Sequence, residues 1–417
     1  MGNDPLKISI VVPTRNRAEF LKYCLETCLA SPDPDIEVVV SDNNSVDDTG
    51  DVVAAISDAR LRYVHPGRDI SMRQNFEFAL SHASGDYVIF IGDDDGVVPN
   101  GIATLRHLLH KQAPDVVIWR HITYIWPHKE NGPKDGLLKF RYRDFCGPLK
   151  RLDPQQVFED FCPARLINYR DGANIYHGCV SRRVIDAVKA TGGEYFQGQI
   201  PDVNTALTNL TVAKSLLWIR NPVTIAGAGE KSNGSAMNAP TKHTDQQTKI
   251  AENFTELAEA DRIAPEIDLR IRSIPAYVYA NLMRINQDHL AGRAVIDHAR
   301  WREVVIADMR KFPKQNRCWN VLEDFFLKMD PAYSRVPLAD PADLTEREKT
   351  AADGEIPSKK RKSLIGKKDL QTVASVVAWI QTVTGKPYSP SANKLIATFK
   401  QLVKGLEMRR NVSRLRK

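Results

Sequence analysis

Cysteine is scarce: six in 417 residues, scattered as Cys24, Cys28, Cys146, Cys162, Cys179 and Cys318, with no Cys-x-x-Cys pair. That spacing excludes a zinc ribbon and a disulfide framework, and leaves reduced thiols in a cytoplasmic setting as the expectation. Long apolar runs are missing too. No window approaches the roughly 18 to 20 apolar residues that a membrane helix needs, so the chain is expected not to span a bilayer. The first apolar run, Ile8-Ser-Ile-Val-Val-Pro13, is short and meets Arg15 and Arg17 at once, unlike a secretory leader. There is no internal repeat and no low-complexity tract. Acidic residues are nearly absent from the end of the chain. Lys394 to Lys417 holds eight Lys/Arg against the single Glu407, while the whole chain has a formal net charge of +7. The basic character therefore belongs to the tail, and the remainder is close to neutral.

What is present is ordinary globular composition, 42% hydrophobic and 26% charged, in a length that allows two or three domains. The first ~110 residues alternate strand and helix. Strands are expected at Ile8–Val12, Ile36–Val40, Leu61–Val64, Tyr87–Ile91 and Val116–Trp119. Helices are expected at Ala18–Leu29, Val52–Ile56, Ser71–His82 and Asn100–His110. That order predicts a doubly wound parallel sheet covered by helices. From 120 to 170 the pattern loosens. Further on, Ile175–Val180 reads as a strand, Val203–Ala213 as a helix, and Ser215–Arg220 with Val223–Ala226 as a pair of strands. After 240 the helical period takes over, with amphipathic helices at Gln246–Ala260, Leu269–Leu290, Ala294–Met309 and Asn320–Met329. The expected organisation is a catalytic domain over 1–240, a helical region over 241–340, a charged linker over 341–369 and a basic amphipathic helical tail over 370–417.

The chemistry concentrates at expected strand ends. Tyr87-Val-Ile-Phe-Ile91 is a fully apolar strand, Gly92 ends it, and Asp93, Asp94 and Asp95 follow at its carboxyl end, where open α/β sheets bind ligands. Three adjacent carboxylates repel one another, and a hard divalent cation shared with substrate phosphates removes that cost. The first strand ends in Pro13, Thr14, Arg15, Asn16 and Arg17, and the second in Asp42, Asn43 and Asn44. Three polar clusters at parallel strand ends suit a nucleoside diphosphate: a carboxylate for base or ribose, arginines for phosphate, carboxylates for the metal.

The motifs Val11-Val-Pro-Thr-Arg-Asn-Arg17, Val38-Val-Val-Ser-Asp-Asn-Asn-Ser-Val-Asp-Asp-Thr49 and Ser84-Gly-Asp-Tyr-Val-Ile-Phe-Ile-Gly-Asp-Asp-Asp-Gly-Val-Val-Pro-Asn-Gly-Ile102 together resemble a family 2 glycosyltransferase. The resemblance runs over roughly residues 6 to 235. It implies an α/β chain with a GT-A-type, Rossmann-like doubly wound mixed sheet, followed here by a mostly α-helical C-terminal region. It also implies an inverting, metal-dependent transfer of a sugar from a nucleotide-diphosphate donor (UDP-linked, or GDP-linked) to an acceptor hydroxyl. Carried onto this chain, the resemblance implies nucleotide and donor contacts from Pro13, Thr14, Arg15, Arg17, Asp42, Asn44, Arg73, Asn75, Asp93 and Asp94. Mg²⁺ or Mn²⁺ would sit on the aspartate-rich DXD-type motif. Counting back from Pro99 makes Asp95 the expected direct ligand, with Asp93 in support.

A general base is expected in Gln199-Ile-Pro-Asp-Val-Asn-Thr-Ala-Leu207, where Pro201 fixes helix entry and Asp202 sits in the first turn. His177 and Lys231 are further candidates for acceptor or diphosphate contact. A sugar-nucleotide-forming nucleotidyltransferase needs a Gly-rich phosphate loop after the first strand, and none is there. A processive synthase needs Gln-x-x-Arg-Trp, and Gln315-Asn-Arg-Cys-Trp319 has the wrong spacing. The expected acceptor is a bacterial surface glycan, free or lipid-linked. The alternative is a non-catalytic nucleotide-binding relative that scaffolds a glycan assembly, and self-association stays open. In the tail, Leu395, Phe399, Leu402 and Leu406 share one helix face among basic residues. This suits peripheral contact with an anionic membrane, on the inner face of the cytoplasmic membrane. A packing helix and, less well, a nucleic-acid contact fit the same pattern.

Overall fold

In the computed structural model, the strands Ile8–Thr14 (β1), Ile36–Asp42 (β2), Leu61–Val64 (β3) and Tyr87–Phe90 (β4) alternate with the helices Ala18–Leu29 (α1), Thr49–Ala54 (α2) and Met72–Ser81 (α3). The structure describes residues 6–120, 122–127, 136–140, 148–229, 232, 245–263, 267–312, 317–330, 332–334, 338, 363–366 and 371–384. After β4 come Gly96–Val97 (β5), Pro99–Gln112 (α4), Val116–Trp119 (β6), Ile122–Ile125 (β7), Leu137–Phe140 (β8), Lys150–Leu152 (β9) and Pro154–Phe161 (α5). Gly178–Ser181 (β10), Arg182–Gly192 (α6), Pro201–Thr208 (α7), Leu216–Ile219 (β11) and Thr224–Ala228 (β12) complete the sheet-bearing half.

The main sheet has the order β3-β2-β1-β4-β10-β6-β11-β9. β1 runs parallel to β2 and β4, in a register that sets Thr14 opposite Asp42. The sheet is mixed, because β10 is antiparallel to both β4 and β6, and β9 is antiparallel to β11. Period-2 alternation divides each strand between two cores. Val11, Val39, Val88, Phe90 and Val180 face one core, shared with Phe254, Tyr277, Trp301 and Phe326 of the helical region. Ile10, Val12, Val38, Val40, Ile89 and Ile91 face the other, filled by Leu21, Cys24, Leu25 and Cys28 of α1 and Ile102 and Leu105 of α4. The helical region is thus packed directly on one face of the sheet.

Local chemistry explains the element ends. Ser71 caps α3 in a reciprocal box with Gln74. Pro99 and Pro201 occupy the first turns of α4 and α7, where a missing N–H is harmless. Three expectations change. Ile175–Val180 is strand only from Gly178, because His177 has φ 53° and breaks the extended run. The helix expected over Val203–Ala213 stops at Thr208 and closes in a 3₁₀ turn at Asn209–Thr211. β11 and β12 do not pair with each other: they lie in different sheets.

The second sheet has the order β13-β8-β7-β12-β5, where β13 is Ser363–Gly366, inside the expected linker, running antiparallel to β8. The helix Val373–Thr384 packs against this sheet. Val373, Val376, Val377 and Ile380 are buried with Val98, Ile122, Tyr124, Trp126, Leu138 and Ile225. The basic amphipathic segment 394–417 lies outside the described residues. No described helix is long and apolar enough to cross a membrane.

Candidate functional site at the carboxyl edge of the sheet

β1, β2 and β4 deliver their polar ends to one edge. Thr14 Oγ1 donates to Asp93 Oδ2 at 2.7 Å, and Arg17 donates to Asp93 Oδ1 at 2.5 Å. Arg17 also lies 3.8 Å from Asp94 Oδ1. Burial pushes the Asp93 carboxyl up against the pull of Arg17 and Thr14. Asp94 is pushed up to about 7 by burial and by its charged neighbours Asp95 and Asp93, with Arg17 opposing. Its carboxylate is the least occupied of the three, with the Gly229 N–H at 3.3 Å. Trp126 Nε1 holds the Asp94 backbone carbonyl at 2.9 Å, from the second sheet.

Asp95 is fully engaged. Its Oδ2 accepts from Gly92 N at 2.6 Å and Tyr176 OH at 2.9 Å, with His177 Nε2 at 3.1 Å; its Oδ1 accepts from Gly227 N at 2.7 Å. Three of these donors crowd Oδ2 and one reaches Oδ1, so Asp95 is more heavily bonded than Asp94. Among the described residues, no group of three or more His, Cys, Asp or Glu side chains is arranged to hold a metal ion by itself. The donor set fits a cation that takes one or two oxygens from the protein and the rest from a diphosphate and water, the habit of Mg²⁺. A buried carboxylate with a raised pKa is also the group that a cation would relieve.

The second cluster gathers around β2. Asp42 accepts from Ser45 N (2.9 Å), Ser45 Oγ (2.5 Å) and Tyr63 OH (2.5 Å). Asp69 joins the two loops, accepting from Arg15 at 2.6 Å and Asn44 Nδ2 at 2.7 Å. Asn16 and Asn44 both sit at positive φ, 53° and 58°, a conformation that asparagine tolerates better than most residues. Arg15 Nη1 is buried and has no hydrogen-bond partner among the described residues. Pro13 pairs in register with Ser41, behind this loop.

Arg73 and Asn75 are directed elsewhere. Arg73, 1% exposed, forms a two-pronged pair with Asp261 (2.8 and 2.7 Å) and a third bond to Glu194 at 2.6 Å. Asn75 Oδ1 accepts from Ser41 Oγ at 2.7 Å. Both side chains tie α3 to its neighbours, so the expected donor contacts from them are replaced by structural ones. Lys231 lies outside the described residues.

Asp202 opens α7, half-buried, with Val203 N 3.0 Å from its Oδ1. Burial raises its carboxyl above the usual range, while a hydrogen bond from Tyr169 and the charge of Arg170 oppose the rise. The Tyr176 phenol, bonded to Asp95, is pushed well up by burial and by the charges of Asp95, Asp94 and Asp202. Tyr176 thus interacts with both the acidic turn and the expected base. Sequence reasoning missed Tyr176, Tyr169 and Thr224. They fall in stretches that read as strand or loop.

Against known proteins, residues 9–171 match the family model described as Glycosyl transferase family 2. That span includes the Thr14–Arg17, Asp42 and Asp93–Asp95 clusters and stops short of His177 and Asp202. Similar proteins include glycosyltransferase GlyG of Streptococcus pneumoniae, 32% identical over 119 residues, 28% of this chain and 40% of that protein. A GalNAc(5)-diNAcBac-PP-undecaprenol beta-1,3-glucosyltransferase of Campylobacter jejuni is 34% identical over 102 residues, 24% of this chain and 33% of that protein. The chain thus spans about two-fifths or less of the length of these two relatives. Among solved structures, S. aureus TarS 1-349 in complex with UDP-GlcNAc aligns with a TM-score of 0.42 and 13% identity, over 75% of this chain and 83% of that one.

Proposed function

Because residues 9–171 of this chain belong to glycosyl transferase family 2, we propose that the protein moves a sugar from a nucleotide-diphosphate donor to an acceptor hydroxyl with inversion at the anomeric carbon. The observation that carries this reading is the buried acidic turn at the carboxyl edge, whose Asp95 holds Tyr176, a phenol that also feels the charge of Asp202. The Arg15–Asp42–Asn44 cluster receives the nucleotide, and the buried, unpaired Arg15 Nη1 supplies a donor for it. Arg17 and Asp93 line the diphosphate. Asp94, with Asp93, would hold Mg²⁺ or Mn²⁺, which when bound neutralises charge on the departing diphosphate.

Asp202 accepts the proton of the acceptor hydroxyl as its oxygen attacks the anomeric carbon from the face opposite the diphosphate. The new C–O bond forms as the bond to the diphosphate breaks, and the nucleoside diphosphate leaves. A carboxyl raised by burial is a stronger base than an exposed aspartate, which suits this task. The printed name of the Campylobacter jejuni relative, with its undecaprenol-linked acceptor, supports a lipid-linked bacterial glycan as acceptor.

Asp202→Asn tests the role. Transfer should fall by about 10²- to 10⁴-fold while the dissociation constant for the donor nucleotide stays unchanged, and NMR of the wild-type product should show the inverted anomer. Unchanged transfer, or a retained anomer, would overturn the assignment.

A further inference from the structure

Asp95 touches no reacting group in the proposed transfer, yet it is the most heavily bonded carboxylate of the turn. One of its donors leads to a longer line. His177 Nδ1 lies 2.7 Å from Thr224 Oγ1, and Thr224 Oγ1 accepts from Trp119 Nε1 at 2.8 Å. Trp119 on β6, Thr224 on β12, His177 before β10, and Asp95 in the turn are all buried. Four separate segments therefore meet along one chain of hydrogen bonds.

The chemistry of its two ends sets the polarity. An indole N–H only donates, and an ionised carboxylate only accepts. Trp119 gives to Thr224, and His177 must give to Asp95 from Nε2. The arrangement that serves every group has the Thr224 hydroxyl donating to Nδ1 of a neutral ring whose proton sits on Nε2. The backbone at His177 is in the left-handed region, φ 53°, with its N–H on Phe90 O at 3.0 Å. A non-glycine residue in that conformation costs of order 1 kcal/mol or more, so the bonds made by the ring help to hold it.

We infer that His177 is a positioning residue, locked in its Nε2–H tautomer by Thr224, and that this lock fixes Asp95 and with it the turn that presents Asp93 and Asp94 to the donor diphosphate. The tautomer stands on its own. The consequence for the donor rests on the function proposed above.

Two measurements on the full chain test it. In ¹⁵N histidine NMR, one ring should show the Nε2–H pattern, absent from His177→Ala and averaged toward a mixture in Thr224→Val. In titrations with UDP and GDP plus Mn²⁺, His177→Ala should weaken the nucleotide that wild type binds by about tenfold or more. His177→Gln, whose amide can donate to Asp95, should recover part of that loss. A ring protonated on Nδ1, or His177→Ala binding as wild type does, would overturn the inference. A wild type that binds neither nucleotide would overturn the donor reading instead, and the NMR result would still decide the lock.

Discussion

Asp202 shows how single side chains set the chemistry. Its folded-state pKa is raised by burial, and the Tyr169 hydroxyl works against that rise by donating to the charged form. The proposed transfer needs the carboxylate, so it predicts activity retained above the raised pKa and lost as pH falls through it. The acid limb of the rate profile should lie above the ~4 of an ordinary aspartate. Tyr169→Phe removes a bond that favours ionisation, so the limb should move to higher pH. A limb that stays in place, measured as kcat/KM against pH, would contradict the pairing. At this scale the sequence made Asp202 visible through Pro201, and Asp93–Asp95 through the apolar strand before them. The hydrogen bonds that Asp95 takes from the backbone of Gly92 and Gly227 were not legible, because counting positions does not reveal which oxygens already have partners.

At the scale of elements, the regular alternation of β1 to α4 was legible because each strand is short and rich in apolar residues and each longer helix has one apolar stripe. The expected Ala18–Leu29 coincides with α1. Strand direction was not legible. β10 enters between β4 and β6 antiparallel, and no local pattern in four buried residues carries that information. Nor was the return of Val373–Thr384 to the catalytic half. That helix is apolar enough to have been expected, but its partners lie some 150 to 350 positions earlier. It abuts Gly96, the residue after Asp95, so closely that a Cβ there would sit 2.6 Å from Val373 Cγ2. In the same cluster, Trp126 holds the Asp94 carbonyl. Val377→Asp places a carboxylate among apolar side chains, at a cost of several kcal/mol by general transfer energetics, and should release the helix. Donor-nucleotide affinity should then drop by about tenfold, while circular dichroism keeps most of its helical signal. Unchanged affinity would show that the helix does not support the acidic turn.

For the whole molecule, the helical region and the catalytic sheet share one core, and the Arg73–Asp261 pair bolts them together across 188 positions of sequence. A pair so distant leaves no local trace, which is why Arg73 read as a donor ligand. Breaking such a buried pair leaves an uncompensated charge, so the helical region is an integral part of the packing on this face of the sheet. The central claim is that this edge is a cation-assisted nucleotide site. The most direct measurement is calorimetric titration of UDP and GDP, with and without Mn²⁺, into wild type and Asp94→Asn. One nucleotide should bind, more tightly with Mn²⁺, and Asp94→Asn should lose the Mn²⁺-dependent part. Binding of neither nucleotide, or the same Mn²⁺ dependence in Asp94→Asn, would contradict it.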